Sequence, residues 1–272
     1  MALAGCQHSQ PMSSAGRSLP GDGYPVLPSS AGALEYNAYR AFQMGADVIS
    51  HNIANANTTG YKRCRVEFQE LAGPSVFLTG TTSAQGWPQM RDPQAVSVRR
   101  IFTNGRTVYT GEPLDLAIVG EGFFEVQLPD GLKAYTRDGA FVVAPDGRIT
   151  TRGGLPLQGG FQPIERKTTS ITVGCNGEVS CVSPNGMNSF QVQLCRFANP
   201  AGLEAIPGNF FKETSASGTP EQFTPGDRGY GFLVQGFLES SNVCLSEELF
   251  ELERVRNALK ALVKIAKARL SL

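Results

Sequence analysis

The 272-residue chain reads as mainly β with flanking α: an irregular antiparallel β domain between N- and C-terminal coiled-coil helices. Three observations carry this. Apolar residues recur at steps of four and three near both ends, as on one face of a helix. Between the ends they alternate with polar residues, the period of a half-buried strand. Asp-Gly and Asn-Gly pairs, the strongest short-range hairpin signals, punctuate that middle stretch.

Residues 1–33 are largely Ser, Gly, Pro and Ala. Their apolar surface is too small to offset the entropy of ordering, so a disordered tail is expected. Residues 34–60 are expected to form the first helix of a helical core, with Ala38, Phe42, Gly45, Ile49, Asn52 and Ala56 on one stripe. An Asn in such a seam costs stability and is best explained by a side-chain hydrogen bond across an interface. The helix should break at Asn57-Thr58-Thr59-Gly60, and residues 61–95, with the single Trp87, read as a connector or arm.

The β domain is expected over 96–238. Val96 and Val98, then Leu114, Leu116 and Ile118, then Phe124, Val126 and Leu128, then Val192 and Leu194 alternate as strands do. Turns are expected at Pro129-Asp130-Gly131, Arg137-Asp138-Gly139, Pro145-Asp146-Gly147, Asn176-Gly177 and Pro184-Asn185-Gly186. Residues 239–272 are expected to hold the second core helix. Ser246 is its expected N-cap, with Glu247 and Glu248 in the first turn, where negative charge suits the helix dipole. Leu245, Leu249, Leu252, Arg256, Leu259, Val263, Ala266 and Leu270 keep the four-three rhythm, and Lys260, Lys264, Lys267 and Arg269 gather toward the C-terminus.

A terminal helix with an apolar seam needs a partner, and the first helix is the obvious one. Seams left over within one copy pack between copies, and a head-to-tail contact that does not close on itself builds a filament. The expected assembly interface is Phe42, Ile49, Leu249, Leu252, Leu259 and Val263 for apolar packing, with Asn52 and Asn55 setting register.

Composition narrows the function. Apolar residues make up 41% of the chain, enough for a core, and charged residues only 18%. Lys+Arg and Asp+Glu are 24 each, so the chain lacks the basic excess with which nucleic-acid binders displace counterions. No nucleic-acid partner is expected. The six cysteines, Cys6, Cys64, Cys175, Cys181, Cys195 and Cys244, form no C-x-x-C pair, and the histidines are His8 and His51, so no metal site is expected. Either the thiols are free, or a local disulfide forms among Cys175, Cys181 and Cys195. Leu3-Ala4-Gly5-Cys6 has the form of a lipobox, yet only two residues precede it. The match is then chance, or the true start lies upstream of Met1.

No phosphate loop and no nucleophile elbow occur, and Gly120-Glu121-Gly122, followed by Phe123, reads as a turn rather than a dinucleotide fingerprint. Asp115, Glu121, Glu125, Asp130 and Asp138 are carboxylates of the β region, mostly expected in turns or at the surface. The expectation is a non-enzyme with no cofactor. Two other readings are a periplasmic lipoprotein or cell-wall-binding protein, resting on Leu3 to Cys6, and a cell-wall hydrolase resting on Asp115 or Asp138.

Four blocks resemble one family. Asp47 to Lys62, ending Asn55-Ala56-Asn57-Thr58-Thr59-Gly60-Tyr61-Lys62, is similar to the N-terminal signature of the bacterial flagellar rod and hook proteins, with His51 where the family commonly has Asn. Thr110 to Phe124, Tyr135 to Phe141 and Gln235 to Val243 are similar to later blocks in the same order. Asn199 to Glu204 and Glu213 to Gly218 look most like the distal-rod branch, with the proximal rod or a hook-type axial subunit as the alternative. The resemblance implies a structural subunit of the periplasm-spanning basal-body rod, which polymerises into a hollow helical tube and transmits torque from motor to hook. It implies type III export without a cleaved signal. The implied partners are further copies of itself, proximal rod and hook proteins, rod-surrounding ring proteins and the export apparatus. The stretch Glu253 to Leu259 departs from the family pattern, so contacts of that stretch do not carry over.

Overall fold

A computed structural model describes residues 30–69 and 95–270, with side chains over 38–67 and 97–268. Residues 1–29, including Leu3 to Cys6, and residues 70–94 of the connector lie outside the described residues. Helix α1 (Ser30–Ala54) is followed by β1 (Cys64–Gln69), β2 (Ala95–Arg100), β3 (Thr107–Tyr109), β4 (Leu116–Val119), β5 (Phe124–Gln127) and β6 (Lys133–Thr136). Then come β7 (Phe141–Val143), β8 (Ile149–Thr151), β9 (Ser170–Val173), β10 (Glu178–Ser183), β11 (Gly186–Gln191) and β12 (Leu194–Arg196). The chain ends with β13 (Glu204–Ile206), β14 (Phe210–Lys212), β15 (Glu221–Phe223), β16 (Phe232–Gln235), β17 (Phe237–Glu239) and α2 (Leu245–Leu270).

The expected class, mostly β with a helix at each end, is what the chain forms. The strands make small antiparallel sheets rather than one large one: β13-β14-β6-β5, β11-β10-β9, and the two-stranded β1-β2, β12-β15, β16-β4, β17-β3 and β7-β8. Four expected turns close hairpins: 129–131 joins β5 to β6, 145–147 joins β7 to β8, Asn176-Gly177 joins β9 to β10, and 184–186 joins β10 to β11. The fifth does not. Arg137-Asp138-Gly139 carries the chain out of the four-stranded sheet, because β6 already has β5 and β14 on its two sides. Gly139 is there for close approach: a Cβ on it would stand 1.7 Å from the Leu116 carbonyl oxygen.

Strand β1 occupies residues expected to be connector. Arg65 and Glu67 alternate with Cys64 and Val66, which is strand patterning, and the strand pairs with β2 in the register Cys64↔Arg100, Val66↔Val98. Strict alternation also fails in β4, where Leu116, Ala117 and Ile118 are all buried. A strand covered on both faces needs no polar side.

One apolar core gathers Leu116, Ile118, Phe124, Val126, Leu194 and Leu233 with their neighbours. A second, aromatic cluster joins Phe123, Tyr135, Phe197 and Phe211, with Phe102 packed on it. Its rings meet edge to face, Tyr135 on Phe197 at 4.8 Å and Phe102 on Phe211 at 5.2 Å between centroids, a geometry that adds to the burial itself. The order of pairing closes the domain. Early β3 and β4 take late β17 and β16 as partners, so the chain returns to its own start before α2 begins.

Gly139→Ala should destabilise the β domain by about 2 kcal/mol or more, since backbone rather than a movable side chain opposes the new methyl. Thermal unfolding of the variant against the parent checks it.

Candidate functional site at the junction of the chain ends

After α1 the chain turns through Asn55 to Gly60 and plunges into the protein. Asn55 donates its amide to the His51 carbonyl at 2.8 Å and accepts from the Thr58 hydroxyl at 3.2 Å, closing the helix end. Gly60 has φ 66°, and a Cβ there would collide with the backbone of Arg137. The Gly60 N–H donates to the Glu239 carbonyl at 2.8 Å. Tyr61 and Lys62 are then buried.

Asn52 is fully buried and uses both sides of its amide. Its Nδ2 donates to the Cys64 carbonyl at 2.8 Å and to Glu248 Oε2 at 3.1 Å. Its Oδ1 accepts from the Cys64 N–H at 2.9 Å and the Tyr61 hydroxyl at 3.2 Å. Asn supplies two donors and two acceptor sites, so this side chain is saturated. It ties α1, β1 and α2 at one point. Burial is the main cause that pushes the Tyr61 phenol up to about 12, which keeps it a donor. His51 Nδ1 lies 2.8 Å from the Tyr61 oxygen on the exposed side.

Beside this sits a buried triad of charges. Lys62 Nζ donates to Glu239 Oε1 at 2.6 Å and to the Thr103 carbonyl at 2.9 Å. Arg137 approaches Glu239 Oε2 at 3.5 Å, donates to the Gly120 carbonyl at 2.7 Å, and stacks over Phe123 at 5.2 Å. The Gly105 N–H completes Glu239 at 2.7 Å. One carboxylate serves two cations here. Burial first, and Arg137 second, pull the Lys62 ammonium down to about 8, against the opposing pull of Glu239.

Asn242 finishes the joint. Its oxygen accepts from the Arg63 N–H at 2.7 Å, and its amide donates to the carbonyls of Ile101 at 2.8 Å and Thr103 at 3.1 Å. Arg100 donates to the Lys62 carbonyl at 2.7 Å. Arg63 reaches Glu247 of α2 at 3.0 Å.

Beyond the joint the helices run antiparallel. Asn52 meets Glu248, and farther out Gly45 faces Val255, where an added Cβ would lie 3.9 Å from its Cγ2. Phe42 and Ile49 line a groove of about 470 Å³ between α1, β1 and α2, opposite Glu251, Val255 and Ala258. Leu252, Leu259 and Val263 are half-buried, whereas Leu249 and Arg256 are exposed. The face that α2 turns to α1 is centred on Glu248, Leu252, Val255, Leu259 and Leu262, so it is rotated from the stripe read off the sequence. Helix α2 starts one residue before the expected cap: the Glu248 N–H donates to the Cys244 carbonyl, putting Cys244 rather than Ser246 at the cap position.

Sequence reasoning quoted the blocks holding Lys62, Arg137, Glu239 and Asn242 without giving these residues a role. The signal was present: in a chain with few charges, single charges stand in blocks otherwise made of Gly, Ala and aromatic residues. Asp115 and Glu125, expected at turns or the surface, are buried. Glu125 pairs with Lys133 at 2.9 Å and accepts from the Cys195 thiol at 3.3 Å. Cys64, Cys175, Cys181, Cys195 and Cys244 are free thiols.

The buried charges and amides of this site are committed to one another and to backbone groups, which defines a structural joint between helical ends and a β body. Residues 37–62 match the family model described as flagella basal body rod protein, and residues 117–181 match the flagellar hook protein FlgE/F/G D1 domain. The flagellar basal-body rod protein FlgG of Caulobacter vibrioides is 38% identical over 235 residues, covering 83% of this chain and 89% of its own. FlgG of Buchnera aphidicola from Acyrthosiphon pisum is 37% identical over 80% of this chain and 87% of its own, and FlgG of Bacillus subtilis 36% identical over 78% and 84%. The chain belongs to the flagellar basal-body rod protein family. It is a structural component of the flagellar basal body, not an enzyme.

Glu239→Gln should cost about 4 kcal/mol because it strands two buried cations, and Lys62→Met should cost less because Arg137 still answers Glu239; urea unfolding ranks the two. The pH dependence has a fixed sign. Below about 8 both states hold the Lys62 proton and the penalty is full; from there to the ordinary 10.5 the folded chain releases it first, so stability rises with pH. The stability of the parent relative to Lys62→Met should therefore increase over that window, read from urea midpoints in alkaline buffers.

Proposed function

We propose that this chain is the distal-rod subunit, polymerising into a hollow helical tube that transmits torque between motor and hook. The observation that carries self-assembly is apolar surface on α2 outside its contact with α1. Leu245, Leu249 and Phe250 are 45%, 55% and 62% exposed, and Ile265 is 49% exposed. Large apolar side chains grouped on one helix face mark an interaction site.

In this reading Phe42, Ile49, Leu252, Leu259 and Val263 hold α1 to α2, Asn52 fixes their register through Glu248, and Leu249 packs on a neighbouring copy. Asn55 contributes by ending α1. The helix pairs form a coiled-coil inner core, and the β domain lies outside it. Partners are further copies, proximal rod and hook proteins, surrounding ring proteins and the export apparatus that delivers the subunit. Similarity favours this branch: within Caulobacter vibrioides, FlgG is 38% identical to this chain and FlgF 32%.

Leu249→Asp should leave the monomer within about 0.5 kcal/mol of the parent, as an exposed substitution does, and abolish sedimentable polymer. Leu252→Asp should weaken the helix pair as well. Sedimentation of each purified variant beside its urea midpoint separates the two effects. A Leu249→Asp chain that still polymerises would remove α2's outer face from the assembly.

A further inference from the structure

Helix α2 is divided by charge. Its first half holds Glu247, Glu248, Glu251 and Glu253; its second holds Lys260, Lys264 and Lys267, with Arg254 and Arg256 at the border. The helix dipole explains acid in the first turn and base in the last, but its influence falls off within one turn. Glu251, Glu253, Lys260 and Lys264 stand beyond that reach.

Contacts within the chain do not explain the division either. Glu247 pairs with Arg63, Glu251 with Arg254, and Glu248 is buried against Asn52. Glu253, Lys260, Lys264 and Lys267 are exposed, and no ion pair reaches them among the described residues. Phe250, Glu253, Asn257, Lys260 and Lys264 recur at steps of three and four, so they share one stripe facing away from α1. Along that stripe apolar and acidic surface gives way to basic surface.

We infer that this stripe docks on the same stripe of a second copy, the two α2 helices running parallel and displaced along their axis by about 15–20 Å at 1.5 Å per residue. The displacement sets Lys260, Lys264 and Lys267 of one copy against Glu251 and Glu253 of the next. An antiparallel pair would also match charge, but it closes on itself as a dimer. The parallel, displaced pair leaves an acidic start on one copy and a basic end on the other, so the contact repeats and gives the polymer a direction. The inference rests on the self-assembly reading above and assigns what orients it.

The test uses the full chain in three forms: Lys260→Glu with Lys264→Glu and Lys267→Glu; Glu251→Lys with Glu253→Lys; and all five together. Critical concentration for polymer is read by sedimentation, and particle form by electron microscopy. Each charge set alone should raise the critical concentration about tenfold, as the loss of a few exposed pairs implies, and the combined form should return most of the way to the parent. Raising salt from about 50 mM to about 500 mM should raise the critical concentration of the parent, because screening shortens the reach of exposed charges. Charge sets that polymerise like the parent, a combined form no better than either set, or a parent that stops at a dimer would each overturn the inference. If a variant does not fold, the salt series on the parent decides, and an unchanged critical concentration overturns it. A parent that never associates removes the self-assembly reading and this inference with it; a parent polymer indifferent to charge removes only the inference.

Discussion

One buried carboxylate holds the molecule together. Glu239 stands at the end of the last strand and receives Lys62 from the segment after α1, Arg137 from the exit of β6, and the Gly105 N–H from the approach to β3. Four stretches far apart in sequence meet on its two oxygens. Taking charges out of water costs several kcal/mol per ion unless partners replace the lost hydration. The site meets that cost with backbone carbonyls on both cations and a phenyl face under Arg137. Gly60 and Gly105 allow the approach, since a Cβ at either would strike backbone.

The joint explains the placement of the helices. Asn52 links α1 to the start of β1 and to Glu248, so the direction in which α1 ends fixes where α2 begins. Asn242 bonds the start of β1 and the segment after β2 together, directly before α2. The two family matches fall on either side of this joint: Asn52, Gly60 and Lys62 in the first, Arg137 in the second, and Glu239 and Glu248 beyond both. A subunit for which both termini matter holds them in register with the body this way.

Much of this was legible in the sequence, and the failures are local. Both helices and the hairpins at 129–131, 145–147, 176–177 and 184–186 follow from periodicity and turn chemistry, which are short-range signals. The hydrogen bond expected of Asn52 is made, but to a helix of the same chain. The face of α2 came out rotated because apolar spacing alone cannot separate residues that pack within the chain from residues left outward, and α2 has both kinds. Strand β1 was hidden because its partner follows a long intervening stretch. Glu239, Lys62 and Arg137 were out of reach for a similar reason: a buried triad is a fact about three-dimensional neighbours, and charge patterning within one segment says nothing of it.

The antiparallel run of α1 into the joint and α2 out of it has a mechanical consequence. Both helices are anchored at the same end, so a force on their far ends arrives at one pivot, along arms of roughly 37–39 Å at 1.5 Å per residue. Around that pivot the bonds to Asn52, Glu239 and Asn242 lie on separate strands and loops. A pull would load them together, as in shear, rather than peel them one after another.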